Sequence, residues 1–231
     1  MITLYSYPDL FGVADNNPFG LKVYAFLRLH GLEFEHQHIL DTRNAPREQL
    51  PYLVDGAITI GDSDAIIAYL DQQYHLHIDA ELDSRQRNLE LLVRRTLDDL
   101  YWQMSFSRWR DERYWPSFHD ALLDRHPEIT RENLAAAREY NRLRYHYQGI
   151  GRYEPEQVYA RGIDNLRAVA NLLGENEFFF SASPGKIDVT AYGFVANIYF
   201  YEIDTPLKRH VLTQPALLRH CLAIHERVRT R

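Results

Sequence analysis

Gln49-Leu50-Pro51-Tyr52-Leu53-Val54-Asp55-Gly56, followed closely by Gly61-Asp62-Ser63-Asp64-Ala65-Ile66-Ile67-Ala68-Tyr69-Leu70, decides the fold. The first stretch reads as a proline-initiated strand and a tight turn, because Gly56 after Asp55 supplies the positive φ that a hairpin needs. A second strand follows, and then a helix for which Ser63 is the expected N-cap, with Ile66, Ile67, Leu70 and Tyr74 at helical spacing. Pro51 has no N–H to give to a ladder, so it belongs at the start or the edge of its strand. The backbone of Leu50 is thereby left to bond something other than a neighbouring strand.

Working outward, Ile2 to Tyr7 reads as a first strand. Pro18 suits the first turn of a helix, where its missing N–H costs nothing, and Gly31 suits the position just past the end. Phe34 to Leu40 reads as a second strand, and Asp41 to Gln49 as a polar loop with room for one helical turn. The pattern through residue 76 is β-α-β followed by β-β-α. Residues 75–83 form a short polar connection, which places one predicted domain at 1–76 and a second at 84–231. The second is expected to be all helical. Leu89, Leu92, Val93, Leu97, Leu100 and Met104 mark a long amphipathic helix. Tyr114 to Pro127 reads as irregular, with Trp115-Pro116 and His126-Pro127 as breakers. Thr130 caps a helix that runs to about Gln148, and Pro155 opens another that Gly174 stops. Asp188 to Ile203 is apolar all round, as a central buried helix is. Pro215 starts the last helix.

Composition narrows the function classes. The chain has 231 residues, 45% hydrophobic and 25% charged, as an ordinary globule does. A formal net charge of −6 lacks the electrostatic footprint of a nucleic-acid binder. No apolar run approaches the roughly 20 residues that span a bilayer, so no membrane partner is expected. The first residues are strand-like rather than basic and then apolar, so no signal region is expected. The single cysteine, Cys221, forms no intramolecular disulfide and reads as inert core; a reducing cytoplasm is the expected location. No metal site is expected: His36/His38 and His75/His77 lack a neighbouring Cys or a His-Glu-x-x-His element. The 16 Tyr, 11 Phe and 3 Trp suit either the margins of a helical core or an aromatic-lined pocket for an apolar substrate.

The Leu-Pro-x-Leu strand, the Asp55-Gly56 turn and the Asp-Ser-x-Ala-Ile-Ile helix start resemble the glutathione transferase superfamily. Ile2 to Tyr7 looks like the first strand of that fold and Asn17 to Leu32 like its first helix. Phe11-Gly12, Pro18-Phe19-x-Leu-Lys-Val and the segment from Phe178-Phe179-Phe180 to Thr205-Pro206-Leu207-Lys208 are similar to the branch that holds metaxins, the failed axon connections protein and bacterial glutathione-transferase-like proteins. The fold this implies is an α/β thioredoxin-like N-terminal domain plus an all-α C-terminal domain.

The resemblance also implies a site for glutathione as co-substrate. Leu50 would pair with the cysteinyl backbone, with Pro51 in the cis form. Asp62 and Ser63 would hold the γ-glutamyl end, where free N–H groups and a hydroxyl at a helix start attract a carboxylate. For activation of the thiol, Asn17 ranks first, at the position where relatives with Cys-Pro-Phe carry a reactive cysteine. Asparagine is no nucleophile, but its NH₂ can donate to a sulfur anion; Asn17 also suits a plain N-cap. Tyr7 ranks second and Ser6 third; neighbours on a strand point to opposite faces, so the two cannot both reach one sulfur. Gly20 stands where relatives often have a second cysteine, which argues against exchange through the protein's own sulfur. Arg94-Arg95, Arg108-Trp109-Arg110 and Arg138/Arg142/Arg144 read as solvated or salt-bridged helix charges, any one of which could meet the glycyl carboxylate. Asp188, in Gly185-Lys186-Ile187-Asp188, matches the family's start of the central helix and is expected to serve folding.

The implied function is a cytoplasmic, homodimeric enzyme that binds glutathione, stabilises its thiolate, and passes it to a small apolar electrophile or reduces a disulfide or peroxide. The rival is a non-catalytic, metaxin-like adaptor with a vestigial glutathione site. Asn17 in place of Tyr, Ser or Cys favours the rival; Leu50-Pro51 and Asp62-Ser63 favour the enzyme.

Overall fold

A computed structural model describes residues 1–229. Four strands, β1 (Ile2–Ser6), β2 (Phe34–His38), β3 (Tyr52–Asp55) and β4 (Ile58–Gly61), form one sheet in the order β2-β1-β3-β4. β1 pairs parallel to β2, from Ile2↔Phe34 to Ser6↔His38, and antiparallel to β3, from Ile2↔Asp55 to Tyr5↔Tyr52. The β1–β3 ladder ends at Tyr52, two residues after Leu50. The hairpin from β3 to β4 turns at Gly56, whose φ is 60°. Helices α1 (Pro18–Leu29) and α2 (Ser63–Gln73) complete this half. The parallel β1-α1-β2 crossover and the antiparallel β3-β4-α2 unit make it thioredoxin-like.

The second half is helical: α3 (Ser84–Trp109), α4 (Trp115–Arg125), α5 (Arg131–Gln148), α6 (Pro155–Leu173), α7 (Lys186–Tyr199), α8 (Pro206–Leu212) and α9 (Pro215–Arg229). α7 is buried nearly all round and lies against α1. Gly193 permits this approach, since a Cβ there would stand 2.4 Å from the Pro18 carbonyl oxygen. The two halves share one core, with Leu4, Phe26, Leu53 and Ile66 in the same cluster as Leu97, Val158, Phe194 and Ile224. Among the described residues no helix is long and apolar enough to cross a membrane.

Two segments differ from the sequence reading. Residues 115–125 form a regular helix, α4, rather than an irregular stretch. Pro116 sits in its first turn, where no N–H is required, and Pro127 lies past its end. Phe118 and Leu122, one turn apart, bury against Leu10, Ile129, Leu134 and Tyr201, so tertiary packing sustains the helix. Second, α8 follows α7 as a separate element, capped by the Thr205 hydroxyl, which accepts from the Lys208 N–H at 3.3 Å.

The loop from Pro8 to Asn16, between β1 and α1, is what holds α4 in place. Leu10 enters the α4 cluster, the Asp9 carboxylate pairs with Arg125 at 2.6 Å, and the Asp9 carbonyl meets His126 Nε2 at 2.6 Å. The α4–α5 pair is thereby fixed over the N-terminal end of α1.

Candidate active site

Asn17 is the N-cap of α1. Its backbone is extended (φ −116°, ψ 131°) and its Oδ1 accepts from the Phe19 N–H at 3.0 Å. With Oδ1 committed to the helix, the group its side chain has left to offer is NH₂, a donor beside the positive end of the helix dipole. Behind it, the fully buried Asp15 accepts from the Asn17 N–H at 2.7 Å. Burial pushes the Asp15 carboxyl well up from the usual carboxylate range, against the lowering effect of that hydrogen bond. Asp15 also explains Gly20: a Cβ there would fall 1.6 Å from Asp15 Oδ2, so the carboxyl group occupies the space of any side chain at position 20.

The start of α2 is built differently. Asp62, not Ser63, is the N-cap, a correction to the sequence reading. Asp62 Oδ1 accepts from the Asp64 and Ala65 N–H groups at 3.0 and 3.1 Å, and Oδ2 pairs with Arg47 at 3.2 Å. Ser63 cannot take this role because it is already the first residue of α2. Burial raises the Asp62 carboxyl, but the hydrogen bonds from Ala65 and Arg47 outweigh it and hold the group below its ordinary value. Its φ of 82° places a non-glycine residue in the left-handed region, a cost of order 1–3 kcal/mol that such capping bonds offset. Ser63 is the first helical residue; it is buried, and its hydroxyl receives Lys22 Nζ at 3.4 Å. Lys22, buried in α1, also pairs with Asp64, which meets Arg94 at 3.2 Å.

Leu50 is joined to Pro51 by a cis peptide bond. Leu50, Gln49, Asn17, Tyr7 and Asp98 line a groove of about 510 Å³. A second cavity of about 490 Å³ runs under α4 and α5, walled by Trp109, Phe118, Leu122, Ile129 and Leu134. Groove and cleft share Tyr7, Asn17, Thr42, Tyr101, Tyr140 and Arg144 as a common margin.

The structure brings together three of the sequence-derived candidates, Asn17, Tyr7 and Leu50, along one groove. Asp62 and Ser63 stand at the neighbouring start of α2. Burial pushes the Tyr7 hydroxyl up, so at neutral pH it keeps its proton and offers a donor rather than a base. Ser6 points elsewhere. It is fully buried, and its hydroxyl meets His36 Nε2 at 2.7 Å and donates to the Tyr7 carbonyl at 3.1 Å. Asp188 is buried at the start of α7, where it accepts from the N–H groups of Gly185 and Phe179 and meets His220 Nε2 at 2.9 Å. The sequence reading missed Asp15, Lys22 and Asp98. The Asp15-x-Asn17 spacing is a turn signal that could have flagged the first; nothing local marks the other two.

The chain belongs to the glutathione S-transferase family. Residues 18–114 match the glutathione S-transferase N-terminal domain and residues 162–224 the glutathione S-transferase C-terminal domain. It is 30% identical over 208 residues to the isoprene-epoxide–glutathione S-transferase of Rhodococcus sp. (strain AD45), covering 86% of this chain and 87% of that protein. It is 25% identical over 236 residues to Failed axon connections of Drosophila melanogaster, covering 95% of this chain but only 56% of that longer protein. The crystal structure of the beta-etherase LigF from Sphingobium sp. strain SYK-6 superposes with a TM-score of 0.65 at 15% identity, over 100% of this chain and 99% of that one.

Proposed function

We propose that this protein is a glutathione transferase in which Asn17 stabilises the glutathione thiolate and presents it to an electrophile in the cleft under α4 and α5. The observation that carries the reading is the place of Asn17: it caps α1, keeps a free NH₂ donor, and borders both groove and cleft. A free thiol has a pKa near ~8.5, so a neutral-pH enzyme must favour the anion, and a helix start with an added N–H donor does so. Leu50, ahead of the cis Pro51 and outside the β3 ladder, has its backbone free to pair with the cysteinyl unit. The γ-glutamyl end is a zwitterion: its ammonium suits the Asp62 carboxylate, and its carboxylate suits Arg47 and the α2 N-terminus with Ser63. Tyr7 donates a second hydrogen bond at the sulfur.

Epoxide opening is the reaction that the Rhodococcus relative's name suggests. The sulfur attacks one epoxide carbon, the C–O bond breaks, and the alkoxide takes a proton, for which the Tyr7 hydroxyl at the shared margin is a donor. Disulfide or peroxide reduction would begin from the same thiolate. The reading includes the two domains at 1–76 and 84–231, a homodimer and a cytoplasmic location.

Calorimetric titration with reduced glutathione, followed by turnover with a small epoxide, tests the proposal. Saturable binding that weakens in Ser63→Ala, with glutathione-dependent loss of epoxide, is the expected result. Absence of binding at millimolar glutathione would contradict it and leave the adaptor reading. Binding without turnover on epoxides, disulfides or peroxides would confine the protein to a binding role.

A further inference from the structure

The cleft carries a charge pattern that its apolar walls do not require. Three arginines border it, Arg43, Arg108 and Arg144, against one carboxylate, Asp41. Asp41 is already bound to Arg43, at 2.5 Å. This excess of positive charge stands out in a chain of net charge −6. Other arginines of the helical half have acidic partners: Arg138 with Glu112, Arg142 with Glu139, and Arg113 with Asp111.

Arg144 is the exception at the junction of groove and cleft. Its guanidinium donates to Asn141 Oδ1 at 3.1 Å and lies over the rings of Trp102 and Tyr140, at 5.3 and 5.8 Å. Among the described residues it pairs with no carboxylate. The two ring contacts and the Asn141 bond hold the group while using one of its five N–H donors. The remaining donors have no acid of the protein to satisfy them. Arg108 lies deeper, buried, with its N–H groups on the Asn16 carbonyl and on Asn197. Its Nε has no partner. It adds positive potential behind a wall of Phe118 and Tyr201, where low polarity lets charge act at longer range.

A fixed, unpaired guanidinium at the mouth of an apolar cavity matches a planar, two-oxygen anion on an apolar body. We propose that the second substrate is an apolar electrophile bearing a carboxylate, and that Arg144 selects it by binding that carboxylate. The inference rests on the cleft being the electrophile site, as proposed above. Asn141 is a positioning residue that orients the guanidinium; Trp109, Phe118, Leu122 and Leu134 receive the apolar body.

The test uses trans-cinnamate and its uncharged methyl ester as probes, bound to the whole protein near neutral pH without glutathione and read by calorimetry. Wild type, Arg144→Gln and Arg142→Gln are compared; Arg142 is an exposed neighbour on the same helix. Wild type should bind the acid about tenfold or more tightly than the ester, as expected for a charge-assisted contact. Arg144→Gln should lose that preference and Arg142→Gln keep it, with glutathione affinity unchanged in both. Equal binding of acid and ester by wild type would overturn the inference, as would a preference that survives in Arg144→Gln. So would an Arg144→Gln protein that loses glutathione affinity alone, which would give Arg144 to the glycyl carboxylate. A protein that transfers glutathione to a neutral epoxide yet binds acid and ester equally would overturn this inference and leave the transferase reading standing, so the two fail separately.

Discussion

The starts of α1 and α2 carry the same local signal, an Asx residue that caps the helix, and yet offer opposite chemistry. At α1 the cap is neutral: Asn17 gives Oδ1 to the helix and keeps NH₂ as a donor, with a buried acid fixing its backbone from behind. At α2 the cap is a carboxylate, Asp62, held between two helix N–H groups and Arg47. The first suits a lone anion such as a sulfur; the second suits a group with both charges, such as an amino-acid end. The difference of one atom pair, amide against carboxylate, sets which part of a peptide-like thiol each helix start would take. A third start, α7, is the control. There Asp188 is sealed in the core with its hydrogen bonds satisfied by protein, and it has no route to a ligand.

The control gives the largest expected effect. Asp188→Ala strips the partner from three buried groups and should cost about 3–5 kcal/mol of stability, as loss of a buried charged partner does. Chemical denaturation measures this, and glutathione affinity of the surviving folded protein should be unchanged. A mild loss would mean that α7 is held by packing alone.

Next is Asn17→Asp. Aspartate caps a helix as well as asparagine, so the fold should keep its melting temperature. It has no donor and carries a like charge, so kcat/KM for conjugation should fall on the order of a hundredfold, about 3 kcal/mol. Steady-state kinetics with a model epoxide would show it.

The sheet face behind the site supplies a pH dependence. Burial holds His36 at about 4, below its ordinary 6.5. The unfolded chain therefore binds the extra proton in the window between those values. Stability should be full above about pH 6.5 and fall by about 3 kcal/mol as the pH drops to about 4. Thermal melts across this window should flatten in His36→Gln.

Asp62→Asn separates the cap at α2 from its charge. The amide still accepts the two N–H groups, while the ammonium partner is lost, so KM for glutathione should rise about tenfold with kcat nearly unchanged. The smallest effect belongs to Ser6→Ala. Its hydroxyl faces His36 and not the groove, so turnover should stay within about twofold while stability drops by about 1 kcal/mol. A collapse in turnover would bring Ser6 back as the thiol activator.

Legibility in the sequence followed the range of the forces involved. Pro51, the Asp55-Gly56 turn, Pro18 after Asn17, and Thr130 before α5 act through their immediate neighbours, and those elements stand where their residues imply. Ser63 was misread as a cap because serine and aspartate both cap helices, and only the backbone at Asp62, with its φ of 82°, decides between them. α4 was hidden because Pro116 breaks a helix interior but not a first turn, and only the burial of Phe118 and Leu122 against Leu10 and Tyr201 shows that a helix starts there. The buried groups behind the site are long-range facts. Lys22 meets Asp64 from 42 residues away, and Arg108 reaches the Asn197 carbonyl across 89 residues, at 3.0 Å. Periodicity marks such positions only as polar residues in apolar helices.

The central claim is that Asn17 serves a bound sulfur anion and does more than cap a helix. The direct measurement is the pKa of the glutathione thiol in its complex with the protein, followed by ultraviolet thiolate absorbance, in wild type and in Asn17→Asp. A bound pKa below the free value of ~8.5 in wild type, raised above it in the folded variant, is the expected result. The same bound pKa in both proteins would contradict the account and reduce Asn17 to a cap.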